Sequence, residues 1–375
     1  MAGEGVQVQE ATAQAFRVVG RSVPRADAYE KVTGKAQYTT DLTLPDMLHA
    51  RVVRSTIPHG RIRYLDAQPA LRHPGVVAVV TAEDLRDIHP YYGHIVRDRP
   101  VLAIDRVRFV GEPVAIVVAV DEWAAEEGAQ LVEVGYEEWP AVFTAEEASR
   151  PGAIVLHPQA AFEVGELRGF HEEVAVGKLP NLCHEAVLSW GDVDEGMRQA
   201  QHVFTDTFRF PMTFLYTMEP YAAVALWSDD GLTVWSSAQH PFMVRTELSR
   251  LFGLPLSRVR VVVPYVGGGY GGKSYTKIEP LACAAARRVR RPVKLVLDVG
   301  ESFYTTRSDA ATVTVRTGVD KSGRIVARDV TIAMNTGAYA ENSPLVIRKA
   351  VNRSLGPYRI PNARVVGRLF YTNTP

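Results

Sequence analysis

Apolar residues in the first third of the chain come in short runs broken by turn residues, the pattern of strands alternating with short helices. The stretch YTTDLTLPDMLHARVVRS (38–55) predicts extended segments around a turn at Pro45-Asp46. VVAVVTAEDL (76–85) is an apolar run entering a polar helix start. VRFVGEPVAIVVAV (107–120) predicts a strand, a Gly-Glu-Pro turn and a second strand, nearly continuous in apolar residues and so buried on both faces. DEWAAEEGAQLVEV (121–134) predicts a helix with Asp121 at its N-cap, and the chain returns to strand through VEVGYEEWPAVF (132–143). Residues 17–148 thus form a mixed α+β domain. Residues 149–180, with PGAIVLHPQ and VGKLPNL, have turn residues and weak periodicity and predict a linker on the surface.

A second unit spans 181–375. It opens with a helix over 191–200 capped by Asp192, followed by strands at VFTDTFRF, AAVALW and LTVWSSAQ. PFMVRTELSRLFGL (241–254) predicts an amphipathic helix closed by Gly253 and Pro255. A strand, RVRVVVPYV, leads into a glycine run. The helix KIEPLACAAARRVR and the buried strand VKLVLDV follow. ATVTVRTGVDKSGRIVARDVTIAMN (311–335) predicts a hairpin turning at Lys321-Ser322-Gly323.

Composition narrows the function classes. The 375 residues suffice for two or three domains, and 46% hydrophobic with 22% charged is ordinary for a globular protein. Lys+Arg and Asp+Glu balance at 42 each, so no global basic field draws nucleic acid or anionic membrane. No stretch approaches the roughly 18 apolar residues of a membrane span. Residues 1–16 lack the basic and apolar regions of a signal peptide and predict a disordered lead-in to a cytoplasmic protein. Two distant cysteines, Cys183 and Cys283, make no disulfide scaffold or metal knuckle and cannot alone hold an iron–sulfur cluster. They predict two buried thiols. The ten histidines never fall at ligand spacing.

The glycine run VGGGYGGKS (266–274) satisfies both the dinucleotide fingerprint and the P-loop pattern. A strand before it, a helix after it and Asp298 ending LVLD favour the P-loop. Pro280 counts against it. Six residues past Ser274, it fits the first turn of a helix starting near Glu279, not the interior of one starting at Gly-Lys-Ser. For a dinucleotide site, Asp298 follows Gly272 by 26 residues, too far. Five glycines in six positions mean either a tight turn or a backbone cradle that a ligand approaches closely. Tyr270 then points its ring or its N–H at that ligand.

These segments together resemble the molybdenum-binding large subunit of the xanthine dehydrogenase/aldehyde oxidase family. The resemblance runs over nearly all of 17–375. It is carried by KVTGKAQYTTDLTLPDMLHARVVRS, DRVRFVGEPVAIVVA, TMEPYAAVA, SSAQHPF, VGGGYGGK, RPVKLVLD, GPYRIPN and LFYTNTP. It implies an a/b hammerhead domain followed by the first part of the molybdopterin-binding domain. It implies that the loop Gly268, Gly269, Tyr270, Gly271, Gly272 passes beside the molybdenum, with Tyr270 and Gly271 against its oxo and hydroxo ligands. Gln239 matches the glutamine bonded to the apical oxo ligand. The cofactor implied is molybdopterin, in its cytosine dinucleotide form, with molybdenum. A protein that holds its metal through a pterin supplies neutral donors and a shaped pocket. The implied reaction hydroxylates an aldehyde or N-heterocycle with oxygen from water.

Departures bear on the substrate. Purine-oxidising members carry a glutamate where this chain has Ser274. Their substrate arginine corresponds best to Lys349, beside Arg348, which suits an anionic substrate. A Gly-Asn-Lys loop marks the carbon monoxide dehydrogenases, and here Gly272 precedes Lys273. The family's catalytic glutamate, its arginine near the metal and most of the pterin dinucleotide surface lie beyond Pro375. The expectation is therefore an incomplete catalyst, truncated or naturally split as in the nicotinate dehydrogenase type. Its partners would be the remaining half of the molybdenum subunit or a second molybdopterin subunit, an iron–sulfur subunit and an FAD subunit. The alternatives are a remnant of the fold without cofactor and a P-loop nucleotide hydrolase. Glu219-Pro220, His240, Arg307 and Asp309 read as structural residues.

Overall fold

The computed structural model describes residues 17–158, 163–164 and 179–375. The lead-in expected over 1–16 and most of the expected linker fall outside them. Residues up to Gln37 form one unit, whose helix Ala28–Val32 is preceded by Asp27, ion-paired with Arg25 and Lys31. Residues 38–375 form a second unit, described from here on. Among the described residues no helix is long and apolar enough to cross a membrane.

The strands of the first half are β1 (Leu48–Arg54), β2 (Gly60–Asp66), β3 (Val76–Thr81), β4 (Val96–Arg97), β5 (Arg106–Val107), β6 (Pro113–Ala119) and β7 (Glu133–Glu138). They are followed by β8 (Glu163–Val164), β9 (Leu182–Trp190), β10 (His202–Phe210), β11 (Ala222–Ser228), β12 (Gly231–Ser236) and β13 (Val259–Val262). The last are β14 (Val293–Val296), β15 (Ala310–Val319), β16 (Ile325–Gly337) and β17 (Asn362–Tyr371). Seven of them make a mixed sheet in the order β13-β12-β11-β14-β1-β6-β3. All seven residues of β6 are buried, as its unbroken apolar run requires. The sheet crosses the boundary expected between the two halves. β1 pairs in parallel with β14, Leu48 against Val293 and Ala50 against Leu295. The helix Glu279–Val289 lies on this sheet, and small residues from Ala282 to Ala286 let it approach closely. Cys183 and Cys283 are free and buried.

A second sheet runs β10-β15-β16-β17-β9. β15 and β16 form the expected hairpin, with Gly323 at φ +80° in its turn. The helix Ser343–Arg353 crosses over between β16 and β17 and covers the apolar face at β17 and β9. Among the described residues, nothing covers that face as it continues to the edge. Phe204, Phe208 and Phe210 oppose Thr317, Val313 and Ala311, and Val313 and Ala311 in turn oppose the core residues Ile332 and Met334. Every residue of β10 is exposed, its three phenylalanines by more than half.

Residues 151–158 are exposed or half-buried except for one side chain. Leu156 is fully buried. Its N–H donates to Asn181 Oδ1 (2.9 Å), while Asn181 Nδ2 donates to the carbonyls of Ala148 (3.1 Å) and Ile154 (2.8 Å). One amide thus satisfies backbone groups that burial would otherwise leave unpaired.

A polar seam runs through the interior. Arg99 and Lys277 both pair with Glu341, and Tyr339 bonds Glu112. Asp98 Oδ2 accepts from Ala340 N–H (2.7 Å) and Tyr371 O–H (2.9 Å), but its Oδ1 is buried without a partner. Burial pushes this carboxyl up to about 7, outweighing the lowering pull of its two donors. Asp309 is likewise pushed up to about 6. A folded pKa above the unfolded value stabilises at low pH, and the contribution is lost as pH rises through the folded value. Unfolding free energy measured in urea should therefore fall between about pH 4 and about pH 7. Asp98→Asn should flatten that fall; an unchanged slope would show that Asp98 is ionised throughout.

Candidate functional site

Three loops meet at one end of the seven-stranded sheet. The first leaves β12 as Ser237-Ala238-Gln239-His240 before the helix Pro241–Leu251. The second is the glycine run after β13, and the third is 214–220, between β10 and β11. Gln239 joins the first two. Its N–H donates to the Lys273 carbonyl (2.7 Å), and its Oε1 accepts from Gly271 N–H (3.1 Å) and from Ser274 Oγ (3.4 Å). Gln239 Nε2 meets no acceptor among the described residues.

Each glycine of the run has its own reason. A Cβ on Gly269 would stand 2.4 Å from Gln239 Cδ, one on Gly267 2.5 Å from Glu219 Cβ, and one on Gly272 2.5 Å from Leu215 Cδ1. Close packing excludes side chains there. Gly268 and Gly271 instead adopt φ of +104° and +91°. A Cβ on Gly271 would meet only open space. Tyr270 also lies in the left-handed region, at φ +47°, with its ring 70% exposed. Gly272 N–H bonds the Gly269 carbonyl (2.7 Å) and Ser274 N–H the Gly271 carbonyl (3.2 Å). Among the described residues, nothing accepts from the amides of Gly268, Gly269 and Tyr270. These three successive amides form an arch left without an acceptor among the described residues, with the exposed Tyr270 as its large side chain.

The P-loop reading fails on the lysine. Lys273 is buried, with Nζ 2.9 Å from Glu219 Oε2 and 2.8 Å from the Glu219 carbonyl, so it cannot reach a phosphate. Burial lowers its pKa below the usual lysine value, against the raising pull of Glu219. Losing one partner of such a buried pair costs roughly 3–5 kcal/mol. The following helix starts at Glu279 with Pro280 in its first turn, as Pro280 implied. Asp298 is no Walker-type acid. It caps the helix Val299–Phe303 through Glu301 N–H (2.7 Å) and pairs with Arg51.

Gln239, Gly268 to Gly272 and Ser274 are thus brought together, and Lys349 is not. It stands exposed on the helix against the other sheet, with no bond or ion pair to this cluster among the described residues. His240 is exposed at the N-cap of its helix. Arg307 and Asp309 make local bonds, to the Phe303 carbonyl (2.8 Å) and Ser343 Oγ (2.8 Å). Residue patterns gave no signal for Thr217, whose Cβ stands 3.5 Å from a Cβ built on Gly268, or for the His94 ring stacked on Tyr275 at 4.7 Å. Burial, and then His240, hold His94 below the ordinary imidazole value. Exposed Tyr216, Met218 and Phe242 come from the same loops and the adjoining helix.

This arch suits a large, oxygen-rich ligand held by neutral donors, and likeness to known proteins names one. Residues 176–375 match the molybdopterin cofactor-binding domain, and 33–140 match the aldehyde oxidase and xanthine dehydrogenase a/b hammerhead domain. The chain belongs to the molybdopterin-binding large subunits of the xanthine dehydrogenase family. It is 37% identical over 93% of its length to a probable xanthine dehydrogenase subunit of Bacillus subtilis, covering 44% of that protein. It is 33% identical to the nicotinate dehydrogenase large molybdopterin subunit of Eubacterium barkeri, over 96% of this chain and 80% of that one. The aldehyde oxidoreductase of Desulfovibrio gigas superposes with a TM-score of 0.84 at 26% identity, over 94% of this chain and 38% of that one. CO dehydrogenase from Oligotropha carboxidovorans also superposes at 0.84, with 28% identity, over 95% of this chain and 44% of that one. The chain spans about half the length of most of these relatives.

The packing argument is testable without cofactor. Gly269→Ala should push the exposed Gln239 side chain aside, break its bond from Gly271 N–H and lower stability by about 1 kcal/mol, the usual worth of one hydrogen bond. Urea unfolding measures it, and a wild-type midpoint would mean that Gln239 does not lie on the loop.

Proposed function

We propose that this chain is the hammerhead and first pterin-binding part of a molybdenum hydroxylase in the cytoplasm, acting on an aldehyde or N-heterocycle. The observation that carries the proposal is the run of amides at Gly268, Gly269 and Tyr270 that meet no acceptor among the described residues, beside the exposed Gln239, whose Nε2 also meets none. Four neutral donors on one arch complement a ligand rich in oxygen acceptors and build no fixed charge into the site. The molybdenum–pterin group, in its cytosine dinucleotide form, supplies oxygen transfer and hydride acceptance when bound. This chain orients it by hydrogen bonds. Of the two amides that the resemblance assigns, Tyr270 N–H is available, whereas Gly271 N–H is committed to Gln239 Oε1. Binding through Gly271 therefore requires exchanging that bond.

Ser274 sets the substrate preference. A hydroxyl in place of a carboxylate offers one donor and weak acceptors, so a purine that needs an ionised partner is disfavoured. Lys349, on the other sheet, plays no part in this proposal. Catalysis needs the remaining half of the molybdenum subunit, and electrons leave through iron–sulfur and FAD subunits. Two facts support a missing half: most relatives are about twice as long, and the apolar face at β10 is bare.

Coexpression with the polypeptide carrying the remaining half-site tests the reading. About one molybdenum with its pterin should copurify per complex. A well-folded complex without molybdenum would leave a remnant of the fold that holds no cofactor. Phe208→Glu should weaken the complex while leaving this chain's own melting temperature unchanged, because Phe208 is exposed in the isolated chain. Wild-type assembly by size-exclusion chromatography would exclude this face as the contact.

A further inference from the structure

Glu219 and Lys273 point away from the open side of the arch, yet they bind both of its ends. Glu219 N–H donates to the Gly267 carbonyl (3.0 Å), and Gly267 N–H donates back to Glu219 Oε2 (2.8 Å). The same Oε2 accepts Lys273 Nζ (2.9 Å), which also donates to the Glu219 carbonyl (2.8 Å). Thr217 Oγ1 bonds that carbonyl from the other side (2.7 Å). The side chains of Lys273 and Glu219 are 0% and 5% exposed, and the ammonium stands 5.7 Å from the Tyr221 ring centre. One carboxylate oxygen therefore ties the first glycine of the run to the lysine that follows the last. The Lys273 carbonyl, in turn, accepts Gln239 N–H (2.7 Å).

With its ends held this close, the intervening backbone has to bow outward, and glycines permit the positive φ angles of the bow. A buried ion pair is a poor way to gain stability alone, since well-packed apolar residues often do as well. Here Glu219 Oε1 is buried without a partner, an added desolvation cost. What the pair supplies is a defined spacing between the two ends.

We infer that the Glu219–Lys273 pair is the positioning device for the arch. It sets the direction of the Gly268, Gly269 and Tyr270 amides and, through the Lys273 carbonyl, the placement of Gln239. Neither side chain touches the pterin group. The inference rests on the cofactor reading above and extends it to two residues that only shape its site. It also accounts for the Gly-Lys pair that mimics a P-loop: the lysine faces inward as an anchor.

The test is the double variant Lys273→Met/Glu219→Gln in the coexpressed complex. It keeps side-chain volume and the acceptor for Gly267 N–H, leaves no unpaired buried charge, and removes the tie between the ends. Two readouts are taken. Molybdenum and pterin content should fall by roughly 10–100-fold, the usual effect of losing a supporting partner at a metal site. Hydrogen exchange of the bonded amides of Gln239, Gly271 and Gly272 should accelerate, while exchange in β6 stays at the wild-type rate. Wild-type content with wild-type loop exchange would overturn the inference. If the wild-type complex holds no molybdenum, the cofactor reading fails by itself, and loop exchange still decides the pair. Should the double variant not fold, Lys273→Met/Glu219→Leu, which also leaves no buried charge, is read the same way. Faster exchange confined to the loop supports the tie, and unchanged exchange refutes it.

Discussion

The parallel pairing of β1 with β14 is the contact on which the rest of the molecule depends. Leu48 N–H bonds the Pro292 carbonyl (2.8 Å), and the register runs on through Ala50 against Leu295. A central strand must find its ladder partners inside the protein, because neighbouring strands keep water from its backbone. β1 has β6 on one side, and only β14 completes the other. The hammerhead segment and the pterin-binding segment therefore share one core. β11, next to β14 in the same sheet, then fixes where 214–220 passes, and with it Glu219.

The candidate site is built at the end of this sheet by subtraction. Three glycines are absent side chains: methyls there would collide with Gln239, Glu219 and Leu215. Two more are backbone turns closed to other residues. What remains is a row of N–H groups without acceptors among the described residues and one glutamine amide. Charge is confined to the inner side, where Glu219 neutralises Lys273. Neutral dipoles outside and a compensated ion pair inside suit a site whose bound group brings its own charge. Tyr270 is the exception, an exposed ring on a left-handed residue. That strain of about 1–2 kcal/mol is sustained because the flanking turns hold its backbone.

Much of this was legible in the order of residues. The all-apolar run of β6 announced a strand buried on both faces, Asp121, Asp192 and Gly253 marked helix ends, and Pro280 placed the start of its helix. These features are local, set by one residue's φ, one capping bond or one period of side chains. The family motifs carried the hammerhead and pterin-binding assignments in the same way. What was not legible depended on distance. The burial of Leu156 gave no sign because nothing nearby says that Asn181 satisfies its backbone. Lys349, read as a pocket residue from its position along the chain, stands exposed on a helix against the other sheet, which only the fold could show.

Lys273 shows the division most clearly. As sequence it belongs to a glycine-rich loop with a terminal lysine, a pattern equally consistent with a phosphate site. Which way the ammonium points is decided by Glu219, brought beside it only when β11 enters the sheet next to β14. Sequence alone determined the elements and their caps, since these depend on sterics within a few residues. Tertiary structure decided which carboxylate the lysine meets, which amides remain open and which apolar face is left bare, since each is a matter of what distant backbone lies within a few ångströms.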